Sequence, residues 1–216
     1  MRNNPLIIFV HGLTGSKDEM MYLAGESFFI EKWFDVVRFN LYGTAPGEKK
    51  LSEVSLKDHI ADVNEKIRKA VNQGYEKIFL IGHSFGGLTI LYADLEFISK
   101  IVMRDPSIGW KETLEDVYHD EKGYYIDRGD GIRFDISEEI YHDFNKDPNQ
   151  HLEQIKKLSL PIKIIGAEFG LPENSKKYYL AANEPKALTI VSWASHCFLE
   201  EWKIEELLNE TYQRLQ

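Results

Sequence analysis

The chain has 216 residues and a formal net charge of −9, with 43% hydrophobic and 28% charged residues. This length suits one domain with a sizeable core, and the composition is typical of a soluble globular protein. The negative charge and the lack of a basic cluster argue against nucleic-acid binding. The single cysteine, Cys197, permits no internal disulfide. No apolar stretch is long enough for a membrane span or a secretion signal, so we expect a cytoplasmic protein.

The N-terminal third alternates between strand and helix patterns. Residues 5–10 form a continuous apolar, β-branched run, which is typical of a strand buried on both faces. A helix is predicted over 17–33 and a second strand over 34–39. The next helix is the clearest in the chain, because Ser55 is a good N-cap, apolar residues then repeat at helical spacing, and Gly74 is a good stop.

Residues 78–88 have the pattern of a strand that turns directly into a helix around one serine. The apolar run 78–81 leads into Gly-His-Ser-Phe-Gly at 82–86, which fits the G-x-S-x-G nucleophile elbow. Side chains two residues before and two residues after Ser84 would collide with backbone in so tight a turn, and glycine removes them. The plainer interpretation is a Gly-rich turn with Ser84 as a helix cap, but the strand–turn–helix context favours the elbow.

Residues 106–150 interrupt the alternation. They carry twelve acidic and five basic residues, a net charge of −7, together with seven aromatic residues. A hairpin is predicted over 123–134, with its turn at 128–131. We interpret this segment as a lid insertion. The alternative is a surface excursion whose aromatic side chains pack on the core.

The remaining segments complete the alternation. Strands are predicted at 101–103, 161–165 and 187–191, and helices over 175–182 and 200–215. The whole order predicts an α/β fold with a mostly parallel central sheet and helices on both faces. We expect a single domain over 1–216, with 106–150 as its lid.

Three motifs resemble the α/β-hydrolase superfamily, and the resemblance covers nearly the whole chain. They are His11-Gly12 after the first strand, the elbow at 82–86, and Ser195-His196-Cys-Phe198 after the last strand. Within the superfamily, the chain looks most like small bacterial esterases related to the cinnamoyl and feruloyl esterases. That similarity lies in His11-Gly-Leu-Thr-Gly-Ser-Lys17, Gly-His-Ser-Phe-Gly-Gly at 82–87, the hairpin-bearing insertion, and Ser-Lys-Lys-Tyr-Tyr at 175–179. The resemblance implies a serine hydrolase with a Ser–His–acid triad.

Ser84 requires a general base within hydrogen-bond reach, because a serine hydroxyl is a poor nucleophile by itself. Of the seven histidines, His196 follows a predicted core strand at the carboxyl edge of the sheet, where ligands gather in open α/β sheets. The chain order serine, acid, histidine of these hydrolases also favours it. His83 is expected to point away from its neighbour Ser84, and His11 is expected to be structural.

The oxyanion donors follow from the resemblance. They are the backbone N–H groups of Phe85, directly after the nucleophile, and of Leu13, in the His-Gly-x loop. Because these donors belong to the main chain, the side chains at both positions should shape the pocket rather than bind the oxyanion.

The acid of the triad stays open between the ends of two strands. The family usually has Gly-x-x-Asp after the penultimate strand, but Gly-Ala-Glu-Phe at 166–169 has phenylalanine at that position. A one-residue deletion, counted back from Pro172, places Glu168 there, and Glu168 is our first choice. Asp105 is the alternative, because some lipases have their acid after the strand that follows the elbow helix. Glu173 is a third and weaker candidate.

Two classes of function remain. The first is hydrolysis of small carboxylic esters through an acyl-enzyme; thioesterase, lactonase and amidase activities use the same triad, and the motifs do not separate them. The second is a non-catalytic ligand-binding protein, which is disfavoured because both Ser84 and His196 are present. The sequence implies no metal and no organic cofactor, and it does not predict the oligomeric state.

Overall fold

The computed structural model describes residues 2–109, 117–129 and 131–215. The strands are β1 (Leu6–Val10), β2 (Asp35–Arg38), β3 (Ile78–His83), β4 (Ile98–Arg104), β5 (Val117–Asp120), β6 (Gly123–Asp127), β7 (Arg133–Asp135), β8 (Ile162–Phe169) and β9 (Lys186–Ser195). The helices are α1 (Met20–Ile30), α2 (Leu56–Asn72), α3 (Phe85–Ile90), α4 (Glu138–Phe144), α5 (Pro148–Ile155), α6 (Pro172–Ala181) and α7 (Lys203–Leu215).

A six-stranded parallel sheet forms the centre of the fold, in the order β2-β1-β3-β4-β8-β9. Every residue of β1 and β3 is buried, because parallel strands in the middle of a sheet are covered on both faces. The predicted fold class is therefore confirmed. All six strands point the same way, so their carboxyl ends meet along one edge.

Helices cover both faces of this sheet. Along β1, Ile8 packs in one apolar cluster with α2, α3 and α6, whereas Phe9 packs in a second cluster with α1 and α7. This division follows from the period of two of a strand, which sends successive side chains to opposite faces. The boundaries predicted for α2 are confirmed: Ser55 caps it in a reciprocal capping box, and Gly74 follows its end with a φ of 83°.

The insertion adds a separate three-stranded antiparallel sheet, β5-β6-β7, and the helices α4 and α5. Pairing of β6 with β7 confirms the predicted hairpin; Trp110 and Asp130 of the insertion lie outside the described residues. Part of the insertion packs on the core, since Ile140 and Phe144 are buried and the Phe144 ring lies 4.4 Å from that of Phe85. Its function as a lid stays a prediction.

The last two strands of the sheet, β8 and β9, extend well beyond their predicted ends. β8 continues past residue 165 to Phe169, because Gly166 and Ala167 keep parallel pairing with β9. β9 likewise continues past 191 to Ser195. Along the described ranges, none of the helices is long and apolar enough to cross a membrane.

Candidate active site

The turn between β3 and α3 holds Ser84 in a strained conformation. Its φ and ψ are 53° and −119°, a region that non-glycine residues rarely occupy. A Cβ at position 82 would run into the carbonyl of Gly86, and a Cβ at position 86 would run into the carbonyl of Val10. The two glycines therefore permit a turn that leaves Ser84 partly exposed at the carboxyl end of β3.

His196 follows the last residue of β9 and reaches back to the end of β4. Its Nδ1 lies 2.6 Å from Oδ2 of Asp105. That oxygen also accepts a hydrogen bond from the Leu171 N–H at 2.9 Å, so it is an acceptor and Nδ1 carries the proton. Nε2 of His196 is then the unprotonated nitrogen, as a general base requires.

The Asp105 carboxylate is fully enclosed and fully paired. The residue is 0% exposed, and its Oδ1 accepts from the Ala167 N–H at 2.9 Å. A Cβ at position 170 would collide with the carboxylate, so Gly170 is needed for the chain to pass over it. Burial of a carboxylate is tolerated when donors surround it, and here two backbone amides and one imidazole do so.

The loop after β1 fixes the orientation of one peptide unit. The Gly12 carbonyl accepts from His11 Nδ1 at 2.8 Å and from the Tyr42 hydroxyl at 2.8 Å. His11 Nε2 accepts from the Leu41 N–H at 3.0 Å, which sets its tautomer. Burial lowers the pKa of His11 to about 4, so the ring is neutral. Because a trans peptide directs its N–H opposite to its C=O, the Leu13 N–H points away from these donors.

Phe85 opens α3 directly after Ser84. N–H groups in the first turn of a helix have no acceptor within the helix, so they are available to a ligand. The Phe85 side chain is fully buried, with its ring 5.3 Å from that of His59 and at 78° to it. The Phe85 N–H therefore lies next to Ser84 at the start of α3, whereas the Phe85 ring packs in the core.

A family model for the alpha/beta hydrolase fold matches residues 5–138. The chain belongs to this family.

Solved structures of hydrolases cover almost the whole chain. Est1E from Butyrivibrio proteoclasticus with bound ferulic acid is 18% identical, with a TM-score of 0.78 over 98% of this chain and 89% of that one. A monoacylglycerol lipase from Paleococcus ferrophilus is 18% identical, with a TM-score of 0.77 over 98% and 95%. The esterase domain of a Rhodothermus marinus protein is 18% identical, with a TM-score of 0.72 over 99% and 89%. At these identities the similarity establishes the α/β-hydrolase fold, and no curated protein sequence matches the chain.

The carboxylate that hydrogen-bonds His196 is that of Asp105, the alternative acid, whereas Glu168, the first choice, has a different partner. It lies exposed on β8, where its carboxylate accepts from the Trp193 N–H at 2.7 Å. The prediction counted back from Pro172 and treated Glu168 as a loop residue, whereas β8 continues to Phe169. Glu173 is also exposed and pairs with Lys176 at 2.6 Å. Phenylalanine at the usual aspartate position was the signal in the sequence that the partner of His196 lies elsewhere, and Asp105 follows directly after β4.

His83 has a contact that the sequence did not predict. Its Nε2 donates to the His196 carbonyl at 2.8 Å, and the two rings are 4.6 Å apart. Its Nδ1 has no hydrogen-bond partner within the described part of the chain. Burial, with help from the nearby His196, holds the pKa of His83 well below 6.5. A neutral imidazole therefore supports the loop that carries His196.

The hydroxyl of Ser107 lies within hydrogen-bond distance of the hydroxyl of Ser84. The two Oγ atoms are 3.2 Å apart, and Ser107 is 1% exposed. No sequence motif singled out Ser107. Its contact with Ser84 arises only because the folded chain after β4 passes beside the elbow.

Glu19, at the start of α1, is a half-buried acid beside this site. Among the described residues its Oε2 has no hydrogen-bond partner. Burial raises its pKa to about 7, and the positive charges of Arg128 and His196 oppose that rise. No sequence motif singles out Glu19, since the sequence alone does not distinguish its environment from that of the exposed acid Asp18.

Within 2–109, 117–129 and 131–215, no group of three or more His, Cys, Asp or Glu side chains could hold a metal ion.

Proposed function

We propose that this chain is a serine hydrolase of small carboxylic esters, with Ser84 as nucleophile, His196 as general base and Asp105 as the acid of the triad. The supporting observation is the 2.6 Å contact between His196 and Asp105 at the sheet edge where the Ser84 elbow opens. Strands β3 and β4 are neighbours in the sheet, so nucleophile and acid leave adjacent strand ends.

In the proposed reaction, Ser84 Oγ attacks the ester carbonyl carbon while its proton passes to Nε2 of His196. The carbonyl electrons move to the oxygen, which the N–H groups of Leu13 and Phe85 stabilise. Removal of one such donor typically lowers the rate by ~10²–10³-fold. The protonated imidazole then gives its proton to the leaving alcohol, and an acyl-enzyme remains.

Deacylation repeats these steps with water as the nucleophile. His196 takes a proton from the water, which attacks the acyl carbon, and then returns that proton to Ser84 Oγ as the acid leaves. Asp105 keeps the imidazole in the required tautomer through both half-reactions and stabilises its protonated form. Its burial strengthens this interaction, because charges attract more strongly where water is excluded.

An ester substrate fits the structural neighbours better than the alternatives do. One neighbour holds ferulic acid, an aromatic carboxylic acid, and another is a monoacylglycerol lipase. We propose that the substrate binds between the Ser84 edge of the sheet and the insertion 106–150, whose aromatic residues would flank an acyl or phenolic group. The 106–150 segment would then act as a lid of a single domain over 1–216.

A fluorophosphonate probe tests the proposal. We expect stoichiometric labelling at Ser84, located by peptide mass spectrometry, and none in Ser84→Ala. The matched control is Ser16→Ala, in a loop of the same region, which should label like the parent. A folded parent that resists the probe would favour the non-catalytic binding protein. A panel of p-nitrophenyl esters, thioesters, lactones and amides then ranks the possible reactions.

A further inference from the structure

We propose that Ser107 is a second hydroxyl of the catalytic centre, which donates a hydrogen bond to Ser84 Oγ and thereby turns the Ser84 proton toward His196. This inference rests on the proposed function, since it assigns a role relative to the attacking oxygen. Its basis is the 3.2 Å distance between the two Oγ atoms, which belong to residues 23 positions apart.

The backbone of Ser107 is held from three sides, so the hydroxyl stays close to Ser84. Its N–H donates to the Ser84 carbonyl at 3.2 Å. Its carbonyl accepts from the Tyr178 hydroxyl at 3.0 Å. The preceding Pro106 packs on α3, with its Cβ 3.1 Å from where a Cβ at Gly87 would lie.

The count of protons decides the direction of the hydrogen bond. A serine hydroxyl has one proton and two lone pairs. Ser84 must give its proton to Nε2 of His196 when it attacks, so in the reactive state it is the acceptor from Ser107. In the reverse orientation the Ser84 proton would point at Ser107, and the nucleophile would have to rotate before reaction. Ser107 keeps its own proton throughout, while the new bond forms between Ser84 Oγ and the substrate carbon.

Ser107 and the proposed oxyanion donor Leu13 lie on opposite sides of the elbow. The sheet order is β1-β3-β4, so the loop with Leu13 follows β1 on one side of the elbow and Ser107 follows β4 on the other. Its action is therefore on the attacking oxygen and not on the carbonyl oxygen of the substrate.

The test is the second-order rate of fluorophosphonate labelling of Ser84, with kcat/KM for a short p-nitrophenyl ester beside it. In Ser107→Ala both should fall by roughly 3- to 10-fold, the size of one neutral hydrogen bond. Ser107→Thr retains a hydroxyl and should recover most of the labelling rate. Ser107→Cys is nearly isosteric but a weak donor, so it should also label slowly, and it replaces the alanine variant if that variant does not fold.

The matched control is Ser175→Ala. Ser175 is fully buried and, in the described part of the structure, its Oγ has no hydrogen-bond partner. If Ser107→Ala labels at the parental rate, or if Ser175→Ala slows labelling to the same degree, the inference is wrong. A parent that does not label at Ser84 would instead overturn the proposed function, and the role of Ser107 with it.

Discussion

The imidazole of His196 lies 2.6 Å from the carboxylate of Asp105, although 91 residues separate them in the chain. The contact joins the end of the edge strand β9 to the end of β4, across the carboxyl end of β8 between them. In the proposed triad, the contact holds the proton of the neutral imidazole on Nδ1. Nε2 is then free to accept the proton of Ser84.

We expect Asp105→Asn to lower kcat by roughly 10³–10⁴-fold, because an amide at this position can impose the wrong tautomer on His196. Glu168→Gln should change kcat by less than about twofold, since its carboxylate bonds only the Trp193 N–H among the contacts described. Steady-state kinetics with one p-nitrophenyl ester checks both variants. A normal rate in Asp105→Asn, or a large loss in Glu168→Gln, would return the role of the acid to Glu168.

His83 should matter through the position of His196. His83→Leu removes the donor to the His196 carbonyl, and we expect kcat to fall by roughly tenfold with little change in KM. His83→Gln has an amide that can donate to the same carbonyl, so it should recover part of the loss. The acidic limb of the kcat/KM profile gives a second readout. Equal losses in both variants would contradict the positioning role and indicate a loss of packing.

Glu19 should destabilise the protein at alkaline pH. Its pKa is about 7 in the folded chain against 4.5 for an ordinary glutamate, so the folded state holds the proton more tightly. The folded state therefore loses stability as pH rises from 4.5 to 7, by on the order of 3 kcal/mol at most. Glu19→Gln should raise Tm at pH 8 more than at pH 5.

The control for Glu19→Gln is Asp18→Asn. Asp18 is an exposed neighbour whose pKa is lowered by hydrogen bonds to Lys17 and Arg38, so its removal should not stabilise the protein at pH 8. Identical melting curves of Glu19→Gln and the parent at both pH values would contradict the prediction.

His59 should contribute to acid unfolding. It is 0% exposed, and burial lowers its pKa from 6.5 to about 3. The unfolded chain binds this proton first, so stability falls as pH drops from 6.5 toward 3, with a slope of about 1.4 kcal/mol per pH unit. His59→Leu should flatten the dependence of the unfolding free energy on pH. Denaturant unfolding at several pH values measures this slope, and a slope in His59→Leu equal to that of the parent would contradict the prediction.

The sequence was informative wherever local pattern and steric constraint coincide. The apolar run of β3 and the glycines at 82 and 86 predicted the elbow, because no larger residue fits that turn. The capping residues of α2 predicted its start in the same way. Each of these features is decided within a few neighbouring residues.

The carboxylate partner of His196 could not be predicted in this way. Gly166 looks like the end of a strand, but β9 pairs with it and extends β8 to Phe169. The position of a carboxylate relative to His196 then depends on where two distant strands end in the sheet. The contacts of Ser107 and His83 have the same origin, because they join residues that only the tertiary fold brings together.

The Asp105 carboxylate contacts both the His196 imidazole and the backbone of a neighbouring segment. Its oxygens accept hydrogen bonds from the backbone amides of Ala167 and Leu171. They therefore hold the connection between β8 and α6 in place as well as the imidazole. A survey that scored only protein abundance would therefore rank position 105 with the hydrophobic interior, whereas Ser84→Ala removes one described hydroxyl contact, that with Ser107. A loss of activity on substitution of Asp105 therefore has to be compared with the loss of folded protein before it is assigned to the contact with His196.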